Sequence, residues 1–151
     1  MLLKKRKLGR KIEDIKAGEK LSLTEKIEDK DLLLYLGLTN DANPLYIQHD
    51  YASQTPFEKP IVPSVMLIGI INSAISKYLP GPGSHILSQD VIYHKPVYHY
   101  GTIKFIFEVK DVDRDQQLVQ IHVIGENEDN ELVLEARLKV CPPRFSDAAQ
   151  G

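Results

Sequence analysis

Asp41, Asn43 and Tyr46 crowd into one turn-rich stretch, and Ser64, Val65 and Asn72 follow on a long apolar segment. A carboxylate such as Asp41 can take a proton from water and so act as a general base. Its simpler use is to close an Asx turn between two short elements. Asn43, with Pro44 behind it, fits a helix N-cap followed by proline at the first helical position, a placement that would also shape the loop carrying Asp41. Tyr46 carries a phenol with an ordinary pKa of about 10, which is no base near neutrality. Its hydroxyl can still hydrogen-bond a water or a substrate oxygen, or the ring can simply pack. His49 stands one turn later beside Asp50 and fits an exposed position.

Ser64 follows Pro63 and can serve as an N-cap. Ser64, Val65 and Met66 also bring the N–H groups that a helix start leaves without internal partners, which suits a developing oxyanion. Asn72 shares a small or polar stripe with Gly69, Ser73 and Ser76, and a buried amide there needs a backbone carbonyl or a ligand. His85, His94, His99 and His122 are dispersed without metal-ligand spacing, so no metal site is predicted. No phosphate-cradling glycine loop and no Gly-x-Ser-x-Gly nucleophile turn occurs.

Hydrophobic period identifies the elements that must position these residues. Lys20 to Ile27 alternates as a first strand, and Leu32 to Leu36 reads as a short helix stopped near Gly37. Residues 39–60 are rich in turn formers. Ser64 to Leu79 is apolar around nearly its whole circumference, so that helix is expected to be surrounded by protein before Pro80-Gly81-Pro82-Gly83 ends it. Residues 84–95 form a mixed strand. Ile103, Phe105, Phe107 and Val109, then Val119, Ile121 and Val123, then Leu132, Leu134, Ala136, Leu138 and Val140 alternate with more polar neighbours. Period two in successive segments predicts an antiparallel sheet with one solvated face. One buried helix and about five such strands predict an α+β hot-dog arrangement, a sheet wrapped around one long helix. Its uncovered edges predict pairing with a second chain.

The 151 residues suffice for one domain, and the single cysteine, Cys141, forms no internal disulfide and fits a cytoplasmic protein. The longest apolar stretch is broken by Pro63, Ser64, Asn72 and Ser73, so a membrane span is not expected. Six basic residues fall within the first eleven, leaving 13 basic against 21 acidic residues in the body. That acidic body is a poor match for nucleic acid. The expected organisation is a flexible basic arm over residues 1–18, one domain over 19–143 and a tail over 144–151.

Several separated motifs go beyond pattern. Asp41-Ala42-Asn43-Pro44-Leu45-Tyr46, Pro60-Ile61-Val62-Pro63-Ser64, Leu79-Pro80-Gly81-Pro82-Gly83-Ser84 and Lys95-Pro96-Val97-Tyr98 occur in this order. Together they resemble the MaoC-like dehydratases, the (R)-specific enoyl-CoA hydratases, whose pattern is Asp-x-Asn-Pro-x-His, then Pro-Ile-Val-His-Gly, then Leu-Pro-Gly-x-Gly-Ser. The resemblance covers roughly residues 29–110. It implies syn addition of water to a trans-2-enoyl thioester, or the reverse dehydration, with an Asp and a His gripping one water and helix-start amides holding the thioester oxygen. Carried over, it makes Asp41 and Tyr46 the catalytic positions and Asn43, Ser64, Val65 and Asn72 the substrate-binding ones. This chain departs from the pattern at Tyr46 and Pro63, where the family has His, and at Ser64, where it has Gly.

The resemblance implies no cofactor, only CoA or an acyl-carrier protein as carrier of the acyl group, and a homodimer or a heterodimer with a paralogue. Two other functions remain open. The chain could be a non-catalytic acyl-binding or heterodimer subunit of such a dehydratase, or an acyl-CoA thioesterase, an activity found elsewhere on this fold.

Overall fold

The computed structural model describes residues 8–145. Three long strands, β3 (Thr102–Asp113), β4 (Leu118–Glu126) and β5 (Leu132–Cys141), form the centre of an antiparallel sheet. β1 (Lys20–Lys26) and β2 (His85–Tyr93) flank them in the order β1-β3-β4-β5-β2. Register follows from alternation, because a slip of one residue would turn every apolar side chain outward. Thus Phe107 pairs with Val123, Val123 with Ala136, and Ala136 with Val91, in one row across four strands. Val133, expected on the outer face, is also buried, and the ladder shifts nearby between Gly125 and Glu126.

The inner face is covered by α4 (Ser64–Lys77). Leu67, Ile71, Ala74 and Ile75 lie on one side of it and join Phe105, Phe107, Ile121 and Leu138 in the core. Burying each of the larger side chains contributes roughly 1.5–3 kcal/mol. One chain by itself covers one side of this helix and leaves the rest open. Within the single chain Val65 is 58% exposed, and Gly69 and Ser76 are open as well. A five-stranded layer is wide enough to cover one side of a helix and no more.

Before α4 come α1 (Asp29–Thr39), α2 (Pro44–Ile47) and α3 (His49–Ala52). α1 runs past Gly37, whose cost inside a helix is only about 1 kcal/mol. It stops where Asn40 turns left-handed (φ 58°) and caps Leu36 through its N–H. The whole is a hot-dog fold, with none of the described helices long and apolar enough to cross a membrane.

The flexible arm expected over residues 1–18 is corrected from residue 8 onward; residues 1–7 lie outside the described residues, as do residues 146–151 of the expected tail. Ile12 and Ile15 are 2% and 1% exposed and belong to the core. Their spacing of three places both on one side of a short 3-10 turn over Ile12–Asp14. Gly9 and Arg10 donate backbone N–H groups to Pro82 and Pro80, and any side chain at Gly9 would collide with the Pro82 carbonyl. Arg10 also donates to Glu19 Oε1 at 2.8 Å, which holds that carboxyl below its ordinary range. Charge density along the segment hides two apolar anchors.

Ile12→Ala and Ile15→Ala are therefore each expected to destabilise the protein by about 2–4 kcal/mol. Urea denaturation measures this, and a loss below about 0.5 kcal/mol in both variants would place these residues outside the core.

Candidate functional site

The residues on α1 and α2 meet through hydrogen bonds made by the turn between them. Asp41 accepts from the Tyr35 hydroxyl at 2.6 Å on one carboxylate oxygen and from the Asn43 N–H at 3.4 Å on the other. Asp41 N–H donates to Thr39 Oγ1 at 3.2 Å. Asn43 is the N-cap of α2, its side-chain oxygen accepting from Leu45 N–H at 3.0 Å, with Pro44 at the first helical position. The Tyr46 ring packs edge-on against Tyr35, with centroids 6.4 Å apart. Asp41, Asn43, Tyr46 and Tyr35 thus form one cluster.

Tyr35 was not singled out from sequence. It is the one polar-tipped ring within Leu32–Leu36, and nothing short of the fold pairs it with a carboxylate six residues later. The bond to Asp41, followed by burial, raises the Tyr35 phenol above its ordinary pKa of 10.0.

A strap joins this cluster to the start of α4. Ile61 N–H donates to Leu45 C=O at 3.0 Å, and Val62 N–H to Val97 C=O at 2.7 Å. Ile61 also bridges to Tyr98. α2, the beginning of α4 and the turn before β3 are therefore held together through residues 61 and 62. Ser64 opens α4, and its carbonyl accepts from the Tyr93 hydroxyl at 3.2 Å. Met66 N–H already donates to Pro63 C=O, whereas Ser64 and Val65 N–H groups precede any helical carbonyl that could accept them. Asn72 is elsewhere, about 12 Å farther along the helix axis. Its side-chain oxygen is buried without a hydrogen-bond partner among the described residues.

A recess of about 680 Å³ opens beside Tyr46. Leu32, Leu33 and Leu36 of α1 form its apolar wall, while Lys59, Tyr98 and His99 face them. This size suits a small organic ligand. Among the described residues no three His, Cys, Asp or Glu side chains gather as a metal site.

Residues 11–131 match the model of the MaoC like domain family. An (R)-specific enoyl-CoA hydratase of Rhodospirillum rubrum is 36% identical over 85 residues, 56% of this chain and 59% of that protein. The match thus spans under two thirds of that relative's length. A 3-hydroxybutyryl-CoA dehydratase of Methylorubrum extorquens is 26% identical over 136 residues, 90% of this chain and 86% of the relative. Among solved structures, an unliganded R-hydratase of Pseudomonas aeruginosa superposes with a TM-score of 0.83 at 25% identity, covering 91% of this chain and 88% of that one.

The Tyr35–Asp41 bond has a consequence that can be read optically. An ionised Asp41 disfavours phenolate, so the bond's stabilisation is complete below the unfolded phenol pKa, about 10, and is lost as pH rises through the higher folded value. Tyr93, by burial, and Tyr100, through its bond to Asp29, are raised as well, so alkaline difference spectroscopy is expected to show several high-titrating tyrosines, of which the Tyr35 component alone returns toward 10 in Asp41→Asn. An unchanged titration curve would show that the bond is not made in solution.

Proposed function

Because this chain belongs to the MaoC-like domain family, we propose that it is a lyase of the (R)-specific enoyl-CoA hydratase and 3-hydroxyacyl dehydratase type, acting on fatty acyl thioesters. The observation that carries this reading is the tie between Asp41's turn and the start of α4, made by Ile61 N–H on Leu45 C=O. That bond links α2, which follows Asp41's turn, to the segment that leads into α4, and so supports a site that uses both.

In this reading, water adds its oxygen to the β-carbon while Asp41 accepts its proton. The electron pair of the double bond moves to the α-carbon, and negative charge grows on the thioester oxygen, where the Ser64 and Val65 amides and the dipole of α4 stabilise it. The α-carbon then takes a proton while Asp41 gives up the one it accepted, directly or by way of solvent, so that one water has been added in all and the carboxylate is restored. Asn43 sets the turn that aims Asp41. The Tyr46 hydroxyl hydrogen-bonds the water, and Asn72 offers its unpartnered oxygen farther down the helix. Addition of water to a conjugated thioester moves protons only, so no redox group or metal is required; CoA or an acyl-carrier protein carries the acyl chain.

A second reading, an acyl-binding subunit without turnover, is favoured by one feature: Tyr46 places a phenol where the family has an imidazole. In that case a paralogous partner chain would supply the complete pair.

Partnering is part of the proposal in either form. β2 is an edge strand with Leu87, Ile92 and Tyr93 exposed by 52%, 60% and 40%, and the Tyr93 hydroxyl reaches the Ser64 carbonyl at the start of α4. Such an edge is normally covered. Sedimentation equilibrium at micromolar protein is expected to give a dimer; a monomer alone would remove the homodimer.

The activity itself is tested by hydration of crotonyl-CoA. The wild-type chain is expected to turn over, and Asp41→Asn to slow it by about 10²-fold or more. Binding of saturated butyryl-CoA without any hydration of crotonyl-CoA would favour the second reading, and neither binding nor turnover would end both.

A further inference from the structure

Asp41 is held by two partners of unequal strength. The Asn43 N–H reaches Oδ1 from 3.4 Å, at the limit of a hydrogen bond, whereas the Tyr35 hydroxyl donates to Oδ2 at 2.6 Å, in the range of a charge-assisted bond. Closing an Asx turn is therefore the lesser part of what this carboxylate does.

The backbone of the turn does not depend on the phenol. Asn40 turns left-handed at the end of α1 and donates its N–H to Leu36 C=O at 2.9 Å, which sends the chain back toward Tyr35. Thr39 Oγ1 donates to Tyr35 C=O at 2.8 Å and accepts from Asp41 N–H at 3.2 Å, so the two residues are already tied through their main chains. Asn43 then caps α2. With the main chain fixed on both sides, and the Tyr35 ring packed edge-on against Tyr46, the short bond has one thing left to set. It sets the direction of the Asp41 carboxylate and the engagement of each of its oxygens. Oδ2 is taken by a strong donor, and Oδ1 has only the long contact to Asn43.

We infer that Tyr35 is a positioning residue for the base: it occupies Oδ2 of Asp41 and leaves Oδ1 as the atom that takes water's proton. The inference rests on the lyase reading above and deepens it by naming the accepting atom and the residue that selects it. As water's oxygen bonds to the β-carbon, its proton passes to Oδ1, and Asp41 releases that proton afterwards. Tyr35 keeps its own proton throughout. The phenol must be protonated to donate, and its surroundings favour that state: the bond to Asp41, burial and the neighbouring Tyr46 outweigh the opposing effect of Thr39. Ionising Tyr35 would end the bond and set a phenolate against the carboxylate.

The test uses the full chain with two replacements, Tyr35→Phe and Tyr35→3,5-difluorotyrosine. Phenylalanine keeps the ring and loses the donor. Its kcat for crotonyl-CoA hydration is expected to fall about 10-fold or more, with KM and the Kd for butyryl-CoA changing by less than about threefold, because a misdirected base slows the reaction without weakening binding. Fluorination keeps the donor and lowers the pH at which the phenol ionises. The alkaline limb of the kcat profile is expected to move down in pH by as much as the fluorines lower the phenol's own pKa, in protein that circular dichroism shows to be folded at each pH. Ring packing alone would not give that response. Wild-type kcat in a folded Tyr35→Phe protein, a change confined to KM, or an alkaline limb unmoved by fluorination each overturns the inference and leaves the lyase reading standing. Absence of turnover in the wild type overturns that reading and the role of Tyr35 with it. If Tyr35→Phe fails to fold, the difluorotyrosine profile decides: a shifted limb supports the inference, and an unmoved one overturns it.

Discussion

The apolar inner face of a five-stranded sheet has to be covered, and the packing of α4 against it is the contact from which the remainder of the molecule is arranged. Leu67, Ile71, Ala74 and Ile75 fix which side of the helix faces inward. That choice also decides which residues point away. Val65 and Gly69 are left exposed because their opposites are in the core. A one-sided cover leaves half of an apolar helix open, and edge strand β2 leaves Ile92 and Tyr93 exposed as well.

The site is assembled by hydrogen bonds between segments with no regular ladder of their own. Asp41 is aimed by Tyr35 from α1 and by its own turn, and the chain then passes through α2 to a strap that leads into α4. The same strap touches the turn carrying His99 through the Ile61–Tyr98 bridge and the Val62–Val97 bond. Loops can carry chemistry when a rigid scaffold positions them, and here the scaffold is the helix on one side and the first residues of β3 on the other. The departures from the family pattern at Tyr46, Pro63 and Ser64 all fall on the segments that this framework joins.

The N-terminal segment shows how charge can mislead. Its lysines and arginines suggest a solvated arm, yet Ile12 and Ile15 insert into the core and Arg10 pairs with Glu19. Two apolar residues three apart are too few to produce a periodic signal. A loop that receives two backbone hydrogen bonds at Pro80 and Pro82 is enough to dock them.

Much of the architecture was legible in the sequence because period two is a direct consequence of burial on one face, and a long apolar run ended by prolines and glycines marks the helix that covers that face. The strands, the one long helix, the Asn43–Pro44 cap and the position of Asp41 in a turn all follow from local pattern. Motif order placed the chain in its family before any coordinate was considered. What local pattern could not decide was which residues meet across distance. The bond from Tyr35 to Asp41, the packing of Tyr46 on Tyr35 and the solitary oxygen of Asn72 depend on how α1, α2 and α4 lie in space. Read along the chain, Tyr35 is one residue in a run of leucines. Only the tertiary structure sets it against Asp41 and Tyr46, because a side chain's partners are chosen by packing in three dimensions and not by its neighbours in sequence.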